Sequence, residues 1–209
     1  MRHEIRLATL AIAVPVLYFG TMLVAAATWP AYSHVTQYVS ELGGPDAPHP
    51  AVFNVGIIVM GAVCIAASFG VGRTAWRIGG RRGWSTLAGV SLGLFGAAMV
   101  MGGVFPMPNP LHGGFGLALA QVVAPLFLSL ALRGEDGMKT LNRFLVFSFL
   151  FMIATMTVMM GVGQLVRRSN VGLWQRLNAL AMFPWVAVAG FALARRAPRA
   201  RPAPGRGTL

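Results

Sequence analysis

Apolar residues are gathered into six long runs without a charged side chain: Leu7 to Trp29, Ala51 to Gly72, Trp84 to Phe105, Leu111 to Leu132, Phe144 to Val166 and Leu177 to Ala194. A hydrocarbon core about 30 Å thick is crossed by roughly 20 helical residues rising 1.5 Å each. None of the runs alternates polar and apolar positions as a barrel strand would, and in lipid an isolated run satisfies its own backbone only as a helix. The predicted fold is therefore all-α: an integral membrane bundle of six transmembrane helices over residues 1–196. Residues 197–209, rich in Arg, Pro and Gly and without apolar periodicity, predict a basic disordered tail.

Between the first two runs the pattern changes. Val35, Tyr38, Val39 and Leu42 recur at helical spacing, with His34, Gln37 and Glu41 on the other face. Ser33 stands where an N-cap belongs and Gly43-Gly44 where a stop belongs. This predicts a short amphipathic helix lying at the membrane interface. Within the runs, Gly89, Gly93 and Gly96, with Gly56, Gly61 and Gly161, predict close helix packing. Pro15, Pro125 and Pro184 predict kinks that membrane helices tolerate. The Met152, Met156, Met159 and Met160 group reads as flexible core filling.

Composition strengthens the membrane reading. Of 209 residues, 56% are hydrophobic and only 11% charged, too few charges to disperse a soluble surface. The net charge of +12 does not point to nucleic acid, because the basic residues sit in short clusters between the runs rather than along one face. Arg2 and Arg6, then Arg73, Arg77, Arg81 and Arg82, then Arg133, Lys139 and Arg143, then Arg195 onward all fall on one side of six crossings. That side is predicted to be cytoplasmic, with both termini. The segments 30–50 and 106–110 on the opposite side contain no Lys or Arg, whereas Arg167, Arg168 and Arg176 lie there as exceptions. The run from Leu7 to Trp29 exceeds the roughly 7 to 15 apolar residues of a cleaved leader and predicts a retained first helix. The single cysteine, Cys64, excludes an internal disulfide and reads as a small buried side chain.

Candidate chemistry concentrates on the outer side. Arg176 opens the last apolar run, where a cation without a partner is costly, and Glu41 is the expected partner. Asn54, Gln121, Gln164 and Asn178 are the polar side chains inside the spans nearest the same end. They serve either as interhelical hydrogen bonds or, with His112 and Arg176, as the wall of a polar pocket. His34, His49 and His112 lack the spacing of a zinc motif, so no metal is expected, and no imidazole lies deep enough for haem, so no cofactor is. Ser40 has no Gly-x-Ser-x-Gly elbow around it. The spans carry no deep acid, lysine or histidine, which argues against an ion-coupled carrier.

Three short stretches carry a resemblance: Ser40-Glu41-Leu42-Gly43, Val104-Phe105-Pro106 with His112 soon after, and Gly172-Leu173-Trp174-Gln175-Arg176-Leu177. In this order on six helices they resemble the family catalogued as domain of unknown function 998. The resemblance implies a six-helix fold in a bacterial or archaeal membrane and brings no known activity. The expected site is an outer polar cluster of Ser40, Glu41, Asn54, His112, Gln164, Gln175, Arg176 and Asn178 that binds a lipid-like or amphipathic ligand. The alternatives are an accessory subunit docked on a membrane-protein partner and a lipid hydrolase or transferase using Ser40, His112 and Glu41. Membrane lipid is the expected partner in either case.

Overall fold

The computed structural model describes residues 2–196, so the tail expected over 197–209 lies outside the described residues. Eight α-helices occupy them: α1 (Arg2–Leu10), α2 (Ala13–Ala27), α3 (Pro50–Gly79), α4 (Arg82–Val104), α5 (Ala120–Ala131), α6 (Lys139–Met159), α7 (Val171–Met182) and α8 (Pro184–Arg196). They form six helices long and apolar enough to cross a membrane, and no strand occurs among the described residues. The first span is α1 with α2, and the last is α7 with α8.

Prolines explain both interruptions. Pro15 has no N–H for the carbonyl of Ala11, and its ring crowds that carbonyl. The chain there turns through tighter bonds, Ala11 N–H to the Ala8 carbonyl and Ile12 N–H to that of Thr9. Pro184 breaks the last span at Phe183. The Met182 carbonyl released by this break accepts a 2.6 Å bond from the side-chain amide of Gln121, which is fully buried. Gln121 thus acts between helices, tying α5 to the break.

The fourth span begins as a 3-10 helix, Pro110–Leu119, before continuing as α5. Gly114 and Gly116 in it take positive φ of 56° and 80°, which an α-helix does not accommodate. The remaining ends differ from the apolar runs because hydrophobic length marks lipid thickness, not where hydrogen bonding stops. Thus α3 continues past Gly72 through Arg73 and Arg77 to Gly79, and α6 starts at Lys139. At its other end α6 stops at Met159 instead of running to Val166, because Gly161 adopts φ +94°.

The core runs along the inner faces of the helices through Val14, Met60, Phe95, Leu128, Leu145 and Trp185, all essentially inaccessible. The bundle turns large apolar side chains outward as lipid demands: Val16, Phe69, Phe147 and Leu180 are all exposed. Glycines let α3 and α4 approach closely, so that a Cβ on Gly61 would fall 2.6 Å from the Gly96 carbonyl oxygen. Ion pairs place the basic segments together: Arg77 meets Glu4 at 2.7 Å, and Arg81 meets Glu135 at 3.9 Å. The start of α1 and the α3–α4 and α5–α6 connections therefore share one end of the bundle. The 30–50 segment packs at the other.

The predicted interfacial helix is present but short. It is a 3-10 helix, Val39–Gly43, preceded by turns rather than by a helix starting at Ser33. Ser33 Oγ accepts from the Val35 and Thr36 N–H groups, each at 3.3 Å, which closes a turn. Side chains claim the donors that a longer helix would use. Glu41 takes the Tyr38 N–H at 2.8 Å, Gln37 takes the Ser33 N–H at 2.7 Å, and Gln175 takes the Val39 N–H.

Candidate functional site

Arg176, one helical turn into α7, organises the outer end. Its guanidinium donates through Nε to His34 Nδ1 at 3.2 Å. One terminal nitrogen donates to the carbonyls of Gln37 (3.2 Å) and Gly172 (2.9 Å), and the other to the Tyr32 hydroxyl at 2.6 Å. The group also lies 5.6 Å from the centre of the Tyr32 ring. A planar fork with several fixed donors fits this set of acceptors, which a lysine could not span. The Tyr32 hydroxyl in turn donates to the Tyr38 carbonyl at 2.9 Å. One side chain on α7 thus fastens residues 32–38 across the end of the bundle.

Two titrations reflect this arrangement. Partial burial pushes the Tyr32 phenol up, opposed by the hydrogen bond from Arg176, so the hydroxyl stays neutral and able to donate. Partial burial and then the Arg176 charge hold His34 below its usual value. A neutral imidazole is what Nδ1 needs to accept from Nε.

The expected direct pair of Arg176 with Glu41 is not formed. The two are joined instead through Gln37, whose side-chain amide donates to Glu41 at 3.0 Å while its carbonyl accepts from Arg176. Glu41 is occupied by loop donors, Gln37 and the Tyr38 N–H, rather than by a cation.

Beside this fastening lies a cavity of about 120 Å³. Ser40, His112 and Gln175 line it together with the apolar side chains of Phe53, Ile57 and Met99. Ser40 Oγ donates to the Met107 sulfur at 3.1 Å. The His112 ring lies with Nδ1 3.1 Å from the Gly102 carbonyl and 3.0 Å from that of Phe105, both at the end of α4. Two carbonyl partners require a proton on Nδ1, so in the neutral ring Nε2 is left as an acceptor. Gln175 presents its oxygen to Val39, which frees its NH₂ group. Among the described residues, no Asp, Glu, Lys or Arg borders the cavity.

The other expected residues fall elsewhere. Asn54, at the start of α3, donates to the Gly43 carbonyl at 3.0 Å and anchors the end of the 3-10 helix. Asn178 accepts from the Thr155 hydroxyl at 2.9 Å and bridges α6 to α7 in the interior. Gln164 sits exposed in the short turn after α6, with φ +51°. Tyr32, Tyr18 and Met107 were not among the candidates. Tyr32 holds the guanidinium and Tyr18 borders the cavity, stacked on Phe183 at 3.8 Å between ring centres. Nothing in the spacing of these residues distinguishes them from ordinary interface or core positions.

No curated protein and no solved structure matches the chain. The sequence profile of one family, described as Protein of unknown function (DUF998), matches residues 11–192. That range takes in the 30–43 loop, the cavity and Arg176, and with six helices able to span a membrane it places the chain in the DUF998 family.

Proposed function

We propose that this protein binds an amphipathic or lipid-like molecule at the outer end of its bundle in a bacterial or archaeal cell membrane, with its basic end and both termini in the cytoplasm. The observation that supports it is the cavity in which Ser40, His112 and Gln175 converge over an apolar floor. At about 120 Å³ it is well below the roughly 300 to 1,000 Å³ of sites that enclose a whole drug-sized molecule. It accepts one end of a ligand whose remainder lies in lipid. With a hydroxyl, an amide NH₂ and an imidazole acceptor, and no charge, it suits an uncharged hydrogen-bonding group such as an alcohol, amide or ester. The distribution of Lys and Arg supports the cytoplasmic orientation of the basic end.

The hydrolase reading lacks its nucleophile geometry, since Ser40 Oγ bonds a sulfur rather than an imidazole. The accessory-subunit reading has no observation of its own, because lipid contact alone accounts for the exposed apolar faces. Mass spectrometry of molecules that copurify with the protein tests the proposal. A Cβ on Gly102, which lines the cavity, would lie at ordinary contact distance, 3.5 Å from the His112 carbonyl and 3.8 Å from its ring, so Gly102→Val adds volume at the cavity wall. The wild type should retain a discrete amphipath that Gly102→Val loses at similar thermal stability; an identical set of molecules from both would contradict the reading.

A further inference from the structure

A groove of about 630 Å³, much larger than the outer cavity, lies on the lipid-facing side of α3 and α4, toward their basic end. Its floor is made by glycines: a Cβ on Gly72 would lie 3.1 Å from the Ser85 carbonyl oxygen, and one on Gly89 would lie 3.1 Å from that of Ser68. The two backbones meet there without side chains between them, while Phe69, Val90 and Leu94 stand up as exposed walls. Along α3 the lining runs from Ile65 to Trp76, about 17 Å at 1.5 Å per residue. That is roughly the depth of one leaflet of a 30 Å core.

The groove ends in charge. Arg73 and Arg82 both line it, and neither forms an ion pair among the described residues, whereas their neighbours Arg77 and Arg81 face Glu4 and Glu135. Arg82 lies 5.2 Å from the centre of the Trp76 ring, which holds its guanidinium at the rim. Ser85 also borders the groove, and its hydroxyl is buried without a hydrogen-bond partner. An apolar trough one leaflet long and a rim with two guanidinium groups that form no ion pair among the described residues are complementary to one kind of occupant.

We propose that this groove holds one acyl chain of an acidic glycerophospholipid from the leaflet at the basic end, with its phosphate on Arg73 and Arg82. Guanidinium forks take phosphate oxygens in paired hydrogen bonds. A second copy of this chain fits less well, because it would bring its own unpaired arginines toward these. The site is separate from the outer cavity and does not depend on it.

Native mass spectrometry of the detergent-solubilised protein, offered equal amounts of phosphatidylglycerol and phosphatidylcholine with matched chains, tests this. The wild type should retain one phosphatidylglycerol in preference. Arg73→Gln with Arg82→Gln should reduce that preference roughly 30-fold, because each arginine favours a net anionic headgroup by about 1 kcal/mol and the choline cation of phosphatidylcholine offsets its phosphate. Thr86→Trp, at an exposed lining position, should displace both lipids by filling the trough with its charges intact. Arg133→Gln with Arg143→Gln, on the neighbouring basic segment, should leave the preference unchanged. The proposal is overturned if the Arg73 and Arg82 pair can be removed without loss of preference, if the Arg133 and Arg143 pair matters equally, if Thr86→Trp binds as the wild type does, or if a dimer covers the groove. Should the double variant fail to fold, single Arg73→Gln and Thr86→Trp still decide the matter.

Discussion

Arg176 shows what a single side chain contributes at the outer end. It stands out in the sequence as a cation at the edge of an apolar run, yet its partners do not. Three of them are the carbonyls of Gln37 and Gly172 and the hydroxyl of Tyr32, and backbone acceptors leave no trace in residue type. Acidic Glu41 was the natural candidate, but the loop uses it to satisfy its own N–H groups. Since the fork geometry matters and not only the charge, Arg176→Lys should lose nearly as much stability as Arg176→Gln, about 2 to 3 kcal/mol. Thermal melts of the purified variants measure this, and full rescue by lysine would show that charge alone suffices. His34 gives the same contact a pH dependence. Its folded-state pKa is depressed below the unfolded value near 6.5, so the unfolded chain binds more protons in that interval. The stability it contributes is complete above about pH 6.5 and is lost as pH falls through the depressed value. Melting temperature should therefore drop more between pH 7.5 and 5 for the wild type than for His34→Gln, which keeps an acceptor but not the titration. The difference should be small because His34 is exposed, and parallel profiles would remove His34 from the account.

At the scale of elements, the number and class of helices were legible because lipid leaves few alternatives to a satisfied helix. Helix ends were not, since apolar length and hydrogen bonding stop for different reasons. Phe144 to Val166 is continuous in hydropathy, yet α6 ends at Met159 because Gly161 turns the backbone left-handed. The interfacial helix was visible in the apolar spacing of residues 35–42, but its shortening depends on Gln175, 136 residues away from Val39. Glycines should therefore differ in how far they resist substitution. Gly161→Ala, at φ +94°, should destabilise by about 1 to 2 kcal/mol, whereas Gly20→Ala in α2 has open space around it and should be neutral or mildly stabilising. Equal effects in a thermal melt would mean that the turn after α6 is not set by its backbone conformation.

At the scale of the molecule, the basic connections gather at one end and the fastened loop and small cavity at the other. The polar cluster expected from the sequence separates into three parts. Ser40, His112 and Gln175 share the cavity; Glu41 and Arg176, with Asn54, hold the loop; Asn178 and Gln164 lie apart. Sequence order cannot make that division, because all eight lie in segments near the same end of the spans, and the direction each side chain takes depends on contacts distant in sequence. Orientation has a direct check, helped by the native thiol being buried. In intact cells a membrane-impermeant maleimide should label Asp46→Cys and spare Gly80→Cys, and the reverse pattern would invert the topology. The proposed outer binding site is tested most directly by photo-crosslinking in the native membrane. A small aliphatic diazirine amino acid, close to methionine in size, replaces Met99 in the cavity wall or, for comparison, Val16 on the lipid-facing side, where 68% of the residue is exposed. The account predicts one discrete adduct mass from position 99 and the mixed bulk lipids from position 16; the same lipid mixture from both positions would contradict it.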